Sequence, residues 1–205
     1  IWNPVSINQL AYEVEKKKHG TPSGGDNAAA TFGGLIWYRK ELEFLRSIWQ
    51  LPFRMNEKLK PFYLVDTGRP KESTGEMVEY VASSVKRQAS RLEELFNQNE
   101  LETKRVAAAI KEGNEGELIS AIKTGERSLE GMGVVSKKVI TFLRLLEEAG
   151  GAGKILGGGG RHDGVGFLLC YHADQTRLDG LVKKYGFTMK DVLLGQEGVR
   201  LEKKL

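Results

Sequence analysis

Two short apolar runs far apart in the chain, Phe62-Tyr63-Leu64-Val65 and Val165-Gly166-Phe167-Leu168-Leu169-Cys170-Tyr171, bracket a long stretch whose hydrophobic residues recur at helical spacing. Strands separated by such a block share a sheet only if the helices pack back over it. The chain is therefore read as α+β, with an antiparallel sheet covered on one face by helices. Ser73 and Glu76 make a capping box at the start of a long amphipathic helix, with Val78, Val81, Val85, Ala89, Leu92 and Phe96 on its apolar face and Lys86, Arg87 and Arg91 on its wet side. A second helix is expected over 100–112, stopped at Gly113-Asn114. A third carries Leu118, Ile119, Ile122 and Leu129. A fourth, capped by Ser136, carries Val139, Ile140, Leu143 and Leu146 and ends at Gly150-Gly151. Beyond the second run, a helix is predicted over 175–185, then two short strands, 192–194 and 199–201, about a turn at Gln196-Glu197-Gly198.

Upstream of residue 62 the pattern differs. Residues 4–18 read as a helix, with Ile7, Leu10, Ala11 and Val14 as its apolar stripe and Glu15 beside it. The stretch His19-Gly20-Thr21-Pro22-Ser23-Gly24-Gly25-Asp26-Asn27-Ala28 reads as a sharp turn with Asp26 at its tip. Ala29–Tyr38 then reads as a strand interrupted by Gly33-Gly34, where a bulge or close backbone approach is expected. Pro52 and Pro61 flank a connection, so a boundary between 50 and 61 is predicted, dividing the chain into 1–55 and 56–205.

Charge and cysteine content narrow the classes of function. The 31 basic and 27 acidic residues give a net charge of +4 and are scattered in sign, with no basic run longer than Lys16-Lys17-Lys18. This suits acceptance of small anions and gives no reason to expect nucleic acid. The lone Cys170 lies in an apolar run and reads as buried and inert, in keeping with a reducing, cytoplasmic setting. No apolar run approaches membrane-spanning length, so no membrane partner is expected. The chain opens Ile1-Trp2, almost directly on a helical pattern, and is read as the later part of a longer polypeptide.

Several segments could carry chemistry. The glycines Gly157, Gly158, Gly159 and Gly160 would let backbone N–H groups approach phosphate oxygens, although they do not match the Walker pattern and a flexible turn explains them equally. Arg161 and His162 beside them can meet anions or simply be solvated. Asp26 on a rigid turn can accept a proton from a substrate hydroxyl, or serve the local backbone as turn aspartates commonly do. Glu15 reads either as a surface acid or as a cation ligand near the helix end. Asp66-Thr67-Gly68 after a strand is adequately explained as a turn. His19, His162 and His172 lack zinc-type spacing, and no serine-hydrolase elbow is present.

The run Glu15-Lys16-Lys17-Lys18-His19-Gly20-Thr21-Pro22-Ser23-Gly24-Gly25-Asp26-Asn27-Ala28, followed by Phe32-Gly33-Gly34, closely resembles the central motif of mevalonate kinases, in the superfamily of galactokinase, homoserine kinase, mevalonate kinase and phosphomevalonate kinase. Val65-Asp66-Thr67-Gly68 with Ser73-Thr74 and Met77-Val78, then Gly133-Val134-Val135-Ser136, then Gly153-Lys154-Ile155-Leu156-Gly157-Gly158-Gly159-Gly160, resemble the later segments of that family in order. The resemblance implies a two-domain small-molecule kinase fold, here the end of the N-terminal domain and a C-terminal α+β domain. It implies transfer of the ATP γ-phosphoryl group to an alcohol, mevalonate first, in isoprenoid biosynthesis. Asp26 would act on the substrate hydroxyl, Glu15 would hold Mg²⁺ between the phosphates, and Gly157–Gly160 would wall the phosphate site. Phosphomevalonate kinase or another small-alcohol kinase is the neighbouring reading; a catalytically inactive dimerisation or regulatory module is the alternative of another class, and a homodimer is compatible with either.

Two departures from the family pattern matter. Leu156 and Gly158 stand where the last motif usually carries a hydroxyl residue and an alanine. A Gly-Ser-Ser-Ala nucleotide loop does not occur among these residues, nor do the N-terminal lysine and the residues that grip the acceptor. All are expected upstream, so the 205-residue segment alone is expected to be inactive.

Overall fold

The computed structural model describes residues 3–19, 22–59 and 61–202; the side chains of residues 18, 19 and 85–87 lie outside this description. Gly20 and Thr21 of the predicted turn, and the predicted roles of Val85, Lys86 and Arg87, fall outside it too. The chain forms two compact units, one from Ile1–Met55 and Leu193–Leu205, the other from Asn56–Val192. The change of unit at Met55 falls inside the predicted connection. The last residues, placed with the second domain by sequence, belong to the first unit.

The larger unit is an antiparallel sheet with helices over one face. Its strands β3 (Phe62–Asp66), β4 (Ala152–Ile155), β5 (Phe167–Tyr171) and β6 (Thr188–Val192) lie in the order β4-β5-β3-β6. The register pairs Tyr63 with Cys170 and Val65 with Leu168, and alternation puts these four with Ile155 on one side. That side is the core: Tyr63, Val65, Ile155, Leu168 and Cys170 pack with Val139, Phe142, Leu143 and Leu146 of α5 (Lys137–Glu148) and Leu178 and Val182 of α6 (Gln175–Lys184). On the opposite side Leu64 and Leu169 are half-buried and Phe167 is exposed. Burial drives the Cys170 thiol pKa far up, so it is an inert core residue.

Helix starts follow the sequence signals closely. Ser73 and Glu76 form the capping box of α3 (Thr74–Glu112), Asn114 caps α4 (Glu115–Gly131), and Ser136 caps α5. Two expectations for α3 are corrected. It is two helical segments joined at a kink, but the break falls at Gln88, whose φ of −143° and ψ of 43° are non-helical, and not at 97–100, where Asn97-Gln98-Asn99-Glu100 contains no glycine or proline. Its buried residues include Met77, Leu92, Glu102, Ala109 and Ile110, whereas Val78 and Phe96 are exposed. Among the described residues no helix is long and apolar enough to cross a membrane.

In the smaller unit, α1 (Pro4–His19) packs on α2 (Gly25–Phe32), and β1 (Ile36–Lys40) pairs antiparallel with β2 (Arg46–Gln50). Ala29–Phe32, read as strand, is the end of helix α2. The apolar stripe of α1 is also displaced: Leu10 and Val14 are exposed and Tyr12 is buried. The inward face carries Asn8, Tyr12 and Glu15, spaced at one helical turn. The predicted strand at 199–201 is absent. Instead, Gly33 bridges to Glu197, Gly34 N–H donates to Gln196 O at 2.7 Å and Val199 N–H donates to Thr31 O at 3.1 Å. A Cβ on Gly33 would lie 2.0 Å from Gly198 N, so the close backbone approach expected at Gly33-Gly34 is made by this tail.

Phe142 is fully buried, with its ring edge-on to Tyr185 and Phe187 at 5.4 and 5.3 Å. Phe142→Ala should cost about 3–5 kcal/mol in urea unfolding; a loss below about 1 kcal/mol would contradict its place at the centre of the core.

Candidate active site

The segment before α2 takes its shape from Gly24. Its φ of +88° lies in the left-handed region, and a Cβ there would sit 2.8 Å from Tyr38 Oη and 3.1 Å from Tyr12 Cε2. Glycine alone meets both demands. Gly24 is the N-cap of α2 and offers no side chain, so Ser23 Oγ accepts the Gly25 N–H at 3.2 Å. Two aromatic residues and three charges hold the segment from behind. Tyr38 Oη donates to Ser23 O; Lys40 Nζ donates to Pro22 O at 3.1 Å and to Tyr12 Oη at 3.3 Å. Tyr12 Oη donates to Glu43 Oε1 at 2.6 Å, Lys40 and Glu43 form an ion pair at 2.8 Å, and the Arg46 guanidinium stacks 3.8 Å over the Tyr12 ring. The Lys40 ammonium, followed by the Tyr12 hydroxyl, holds the Glu43 carboxyl down to about 2, and the Glu43 hydrogen bond in turn raises Lys40.

Asp26 is therefore not at the tip of a turn. It occupies the first turn of α2, exposed, where the helix dipole favours a carboxylate. Its neighbour Asn27 anchors α2 to α1 by donating to Asn8 Oδ1 at 2.6 Å. Glu15 is half-buried on the face of α1 that carries Asn8 and Tyr12. The structure thus puts both carboxylates on the packed pair α1 and α2. Among the described residues no group of three or more His, Cys, Asp or Glu side chains is gathered as a metal cluster. Mg²⁺ is commonly held by one or two carboxylates with phosphates and waters completing its shell, so a half-buried Glu15 on this face suits a phosphate-bound cation.

Gly157–Gly160 belong to the larger unit and are not gathered with Asp26 and Glu15 in one unit. Gly157 and Gly159 have φ of +81° and +74°. A Cβ on Gly159 would lie 2.1 Å from Val134 O, and Gly160 N–H donates to that same oxygen at 2.9 Å. The N–H groups of Gly157, Gly158 and Gly159 have no acceptor among the described residues, leaving backbone donors for an anion. The flanking basic residues are engaged: His162 pairs with Glu72, and the Arg161 guanidinium stacks 4.1 Å over Tyr80. Asp66-Thr67-Gly68 is structural, with Thr67 Oγ1 donating to Gly166 O at 2.7 Å and accepting from Val165 N–H at 2.9 Å.

The sequence reading missed the residues that shape the Gly24 segment. Tyr12 has a signal in retrospect, its helical spacing with Asn8 and Glu15, and Tyr38 and Lys40 alternate onto one face of β1. A cavity of about 790 Å³ in the same unit, lined by Gly34, Leu35, Gln50, Phe53, Arg54 and Gln196 among others, does not include Asp26 or Glu15.

No protein-family model matches the chain. Solved structures define the class. A phosphomevalonate kinase from Streptococcus pneumoniae, in complex with phosphomevalonate and AMPPNP, aligns with TM-score 0.71 and 15% identity, over 94% of this chain and 62% of that one. The fold is that of small-molecule kinases of the galactokinase, homoserine kinase, mevalonate kinase and phosphomevalonate kinase superfamily. Within that class the sequence is similar to mevalonate kinase. The Arabidopsis thaliana enzyme is 25% identical over 206 residues, which cover 95% of this chain and 51% of that protein. The L. major mevalonate kinase in complex with R-mevalonate aligns with TM-score 0.70 and 25% identity, over 89% of this chain and 53% of that one. The resemblance read from the motif is thereby confirmed, and the chain spans about half the length of the curated relative it matches.

Gly24→Ala should destabilise the smaller unit by more than about 1 kcal/mol, since it adds backbone strain to a clash with Tyr38; unchanged thermal stability would contradict the geometry. Because the Glu43 pKa in the fold, about 2, lies below its ordinary value of 4.5, its support of Tyr12 is present above 4.5 and lost as pH falls through about 2. The Tyr12 ring resonances should titrate with a midpoint near the lower value, and a midpoint near 4.5 would remove the Glu43 contact.

Proposed function

We propose that this chain is part of an ATP-dependent kinase that transfers the γ-phosphoryl group to the hydroxyl of a small alcohol, with mevalonate as the acceptor. The observation that carries the reading is the Ser23-Gly24-Gly25-Asp26 geometry. A left-handed glycine, buttressed by Tyr12 and Tyr38, sets an exposed carboxylate in the first turn of a helix, within a chain similar to mevalonate kinase. In this reading Asp26 accepts or orients the proton of the acceptor hydroxyl, so the oxygen attacks phosphorus as its proton leaves. Glu15 would contribute to holding Mg²⁺, which supplies charge neutralisation at the phosphates. Phosphoryl transfer depends chiefly on positioning and electrostatics, and the unpartnered N–H groups of Gly157–Gly159 would serve the nucleotide phosphates.

These residues supply only part of such a site, since no Gly-Ser-Ser-Ala loop occurs among them, and the 205-residue segment alone is proposed to be inactive. The likeness to a phosphomevalonate kinase keeps the phosphorylated alcohol as a second acceptor. An acceptor panel followed by ADP release, using the complete enzyme, separates the two. Asp26→Asn should lower kcat by about 10²–10⁴-fold with AMPPNP binding retained. Retained turnover would refute the role of Asp26, and an inactive complete wild-type enzyme would favour the regulatory-module reading.

A further inference from the structure

The strand that leads into the glycine loop is an edge strand with an unusual partner. Among the described residues β4 pairs only with β5, with Ile155 opposite Leu168, and Leu156 N–H donates to Phe167 O at 2.9 Å. In an antiparallel ladder alternate residues face the partner strand, so the N–H and C=O of Ile155 point to the open edge. Both are met by side chains: Glu126 Oε2, from α4, accepts the Ile155 N–H at 3.0 Å, and Lys154 Nζ donates to Ile155 O at 2.8 Å. Glu126 is fully buried, and its other oxygen, Oε1, has no hydrogen-bond partner. A residue with this cost at a purely structural site is unexpected, because a neutral acceptor could satisfy the same N–H.

We propose that Glu126 is a positioning residue for the glycine loop: with Lys154 it stands in for a neighbouring strand at the last residue pair of β4 and fixes where the chain enters Gly157–Gly160. The loop continues directly from Ile155 through Leu156 and is tied at its far end by Gly160 N–H to Val134 O, so its entry and exit are each held by one polar contact. The groups facing Glu126 are Arg127 and Glu130 on α4, Lys154 on β4 and Cys170 on β5. From α3, Glu102 packs at Gly125 and is paired with Arg105; from α5, Arg144 and Glu147 engage Glu130 and Arg127. Burial, the leading cause, pushes the Glu126 carboxyl up to about 8. Burial lowers the Lys154 ammonium in turn, and the charge of Glu126 opposes that shift. In either protonation state one carboxyl oxygen is available to accept the Ile155 N–H.

The positioning role is testable without nucleotide, whereas its use in phosphate binding rests on the proposed function. Amide exchange, corrected for intrinsic rates, is measured at Ile155 and Gly160 in the full chain. Glu126→Leu should lower protection at both by about tenfold, the effect of removing one hydrogen bond, while Glu126→Gln, which keeps an acceptor, should retain it. Unchanged protection in Glu126→Leu would overturn the inference; if the Leu variant does not fold, a tenfold loss of protection at Ile155 and Gly160 in Glu126→Gln, which keeps the acceptor, would overturn it instead. AMPPNP binding to the complete enzyme then distinguishes the two readings. Exchange effects at the loop with unaltered AMPPNP affinity would leave Glu126 positioning the loop and remove the phosphate role of Gly157–Gly160.

Discussion

The left-handed backbone at Gly24, closed over by the rings of Tyr12 and Tyr38, is the constraint on which the smaller unit depends. It turns the backbone at the start of α2 with no room for a side chain, and so determines which residue begins α2 and where Asp26 stands. The surrounding charges reinforce it. Lys40 binds the Pro22 carbonyl and the Tyr12 hydroxyl while Glu43 receives both Lys40 and Tyr12, so the turn is tied to the β1–β2 hairpin. The backbone that carries Asp26 is thereby fixed, as the proposed proton transfer would require.

The larger unit places its glycine loop by a different device. There the backbone reverses at Gly157 and Gly159, Val134 O lies against Gly159 where a side chain would sit, and the strand feeding the loop is an edge whose outward polar groups are met by Glu126 and Lys154. Helix α4 lies along this edge, which also protects it from pairing with another chain. At Gly24 and Gly159 close packing admits only glycine where the backbone turns, and polar side chains nearby set the turn's position.

Much of the larger unit was legible because its signals are local. The Ser73–Glu76 capping box, the Ser136 cap and the apolar runs of β3 and β5 each identify an element without reference to distant residues, while Asn114, read only as a helix stop, also caps α4. The smaller unit was legible less fully because its structure is set by non-local contacts. Ala29–Phe32 reads as strand by composition but continues α2, and Gly33-Gly34 makes sense only once Gln196-Glu197-Gly198 is seen against it. The apolar stripe assigned to α1 was displaced because its packed face is built around the phenol of Tyr12, which hydrophobic periodicity alone does not weigh. Asp26 and Glu15 were found through the motif, while the residues that hold Asp26 in place were not, since they lie on three separate elements. Glu126 had no signal at all: an acid within a helical pattern reads as solvent-facing.

The central claim, that the Gly24 turn presents Asp26 to an acceptor hydroxyl, is tested most directly by a crystal structure of the complete enzyme with R-mevalonate and AMPPNP. The account predicts an Asp26 carboxylate oxygen within about 2.6–3.2 Å of the hydroxyl that faces the γ-phosphate. A well-ordered acceptor whose hydroxyl is out of reach of Asp26, directly or through one water, would contradict it.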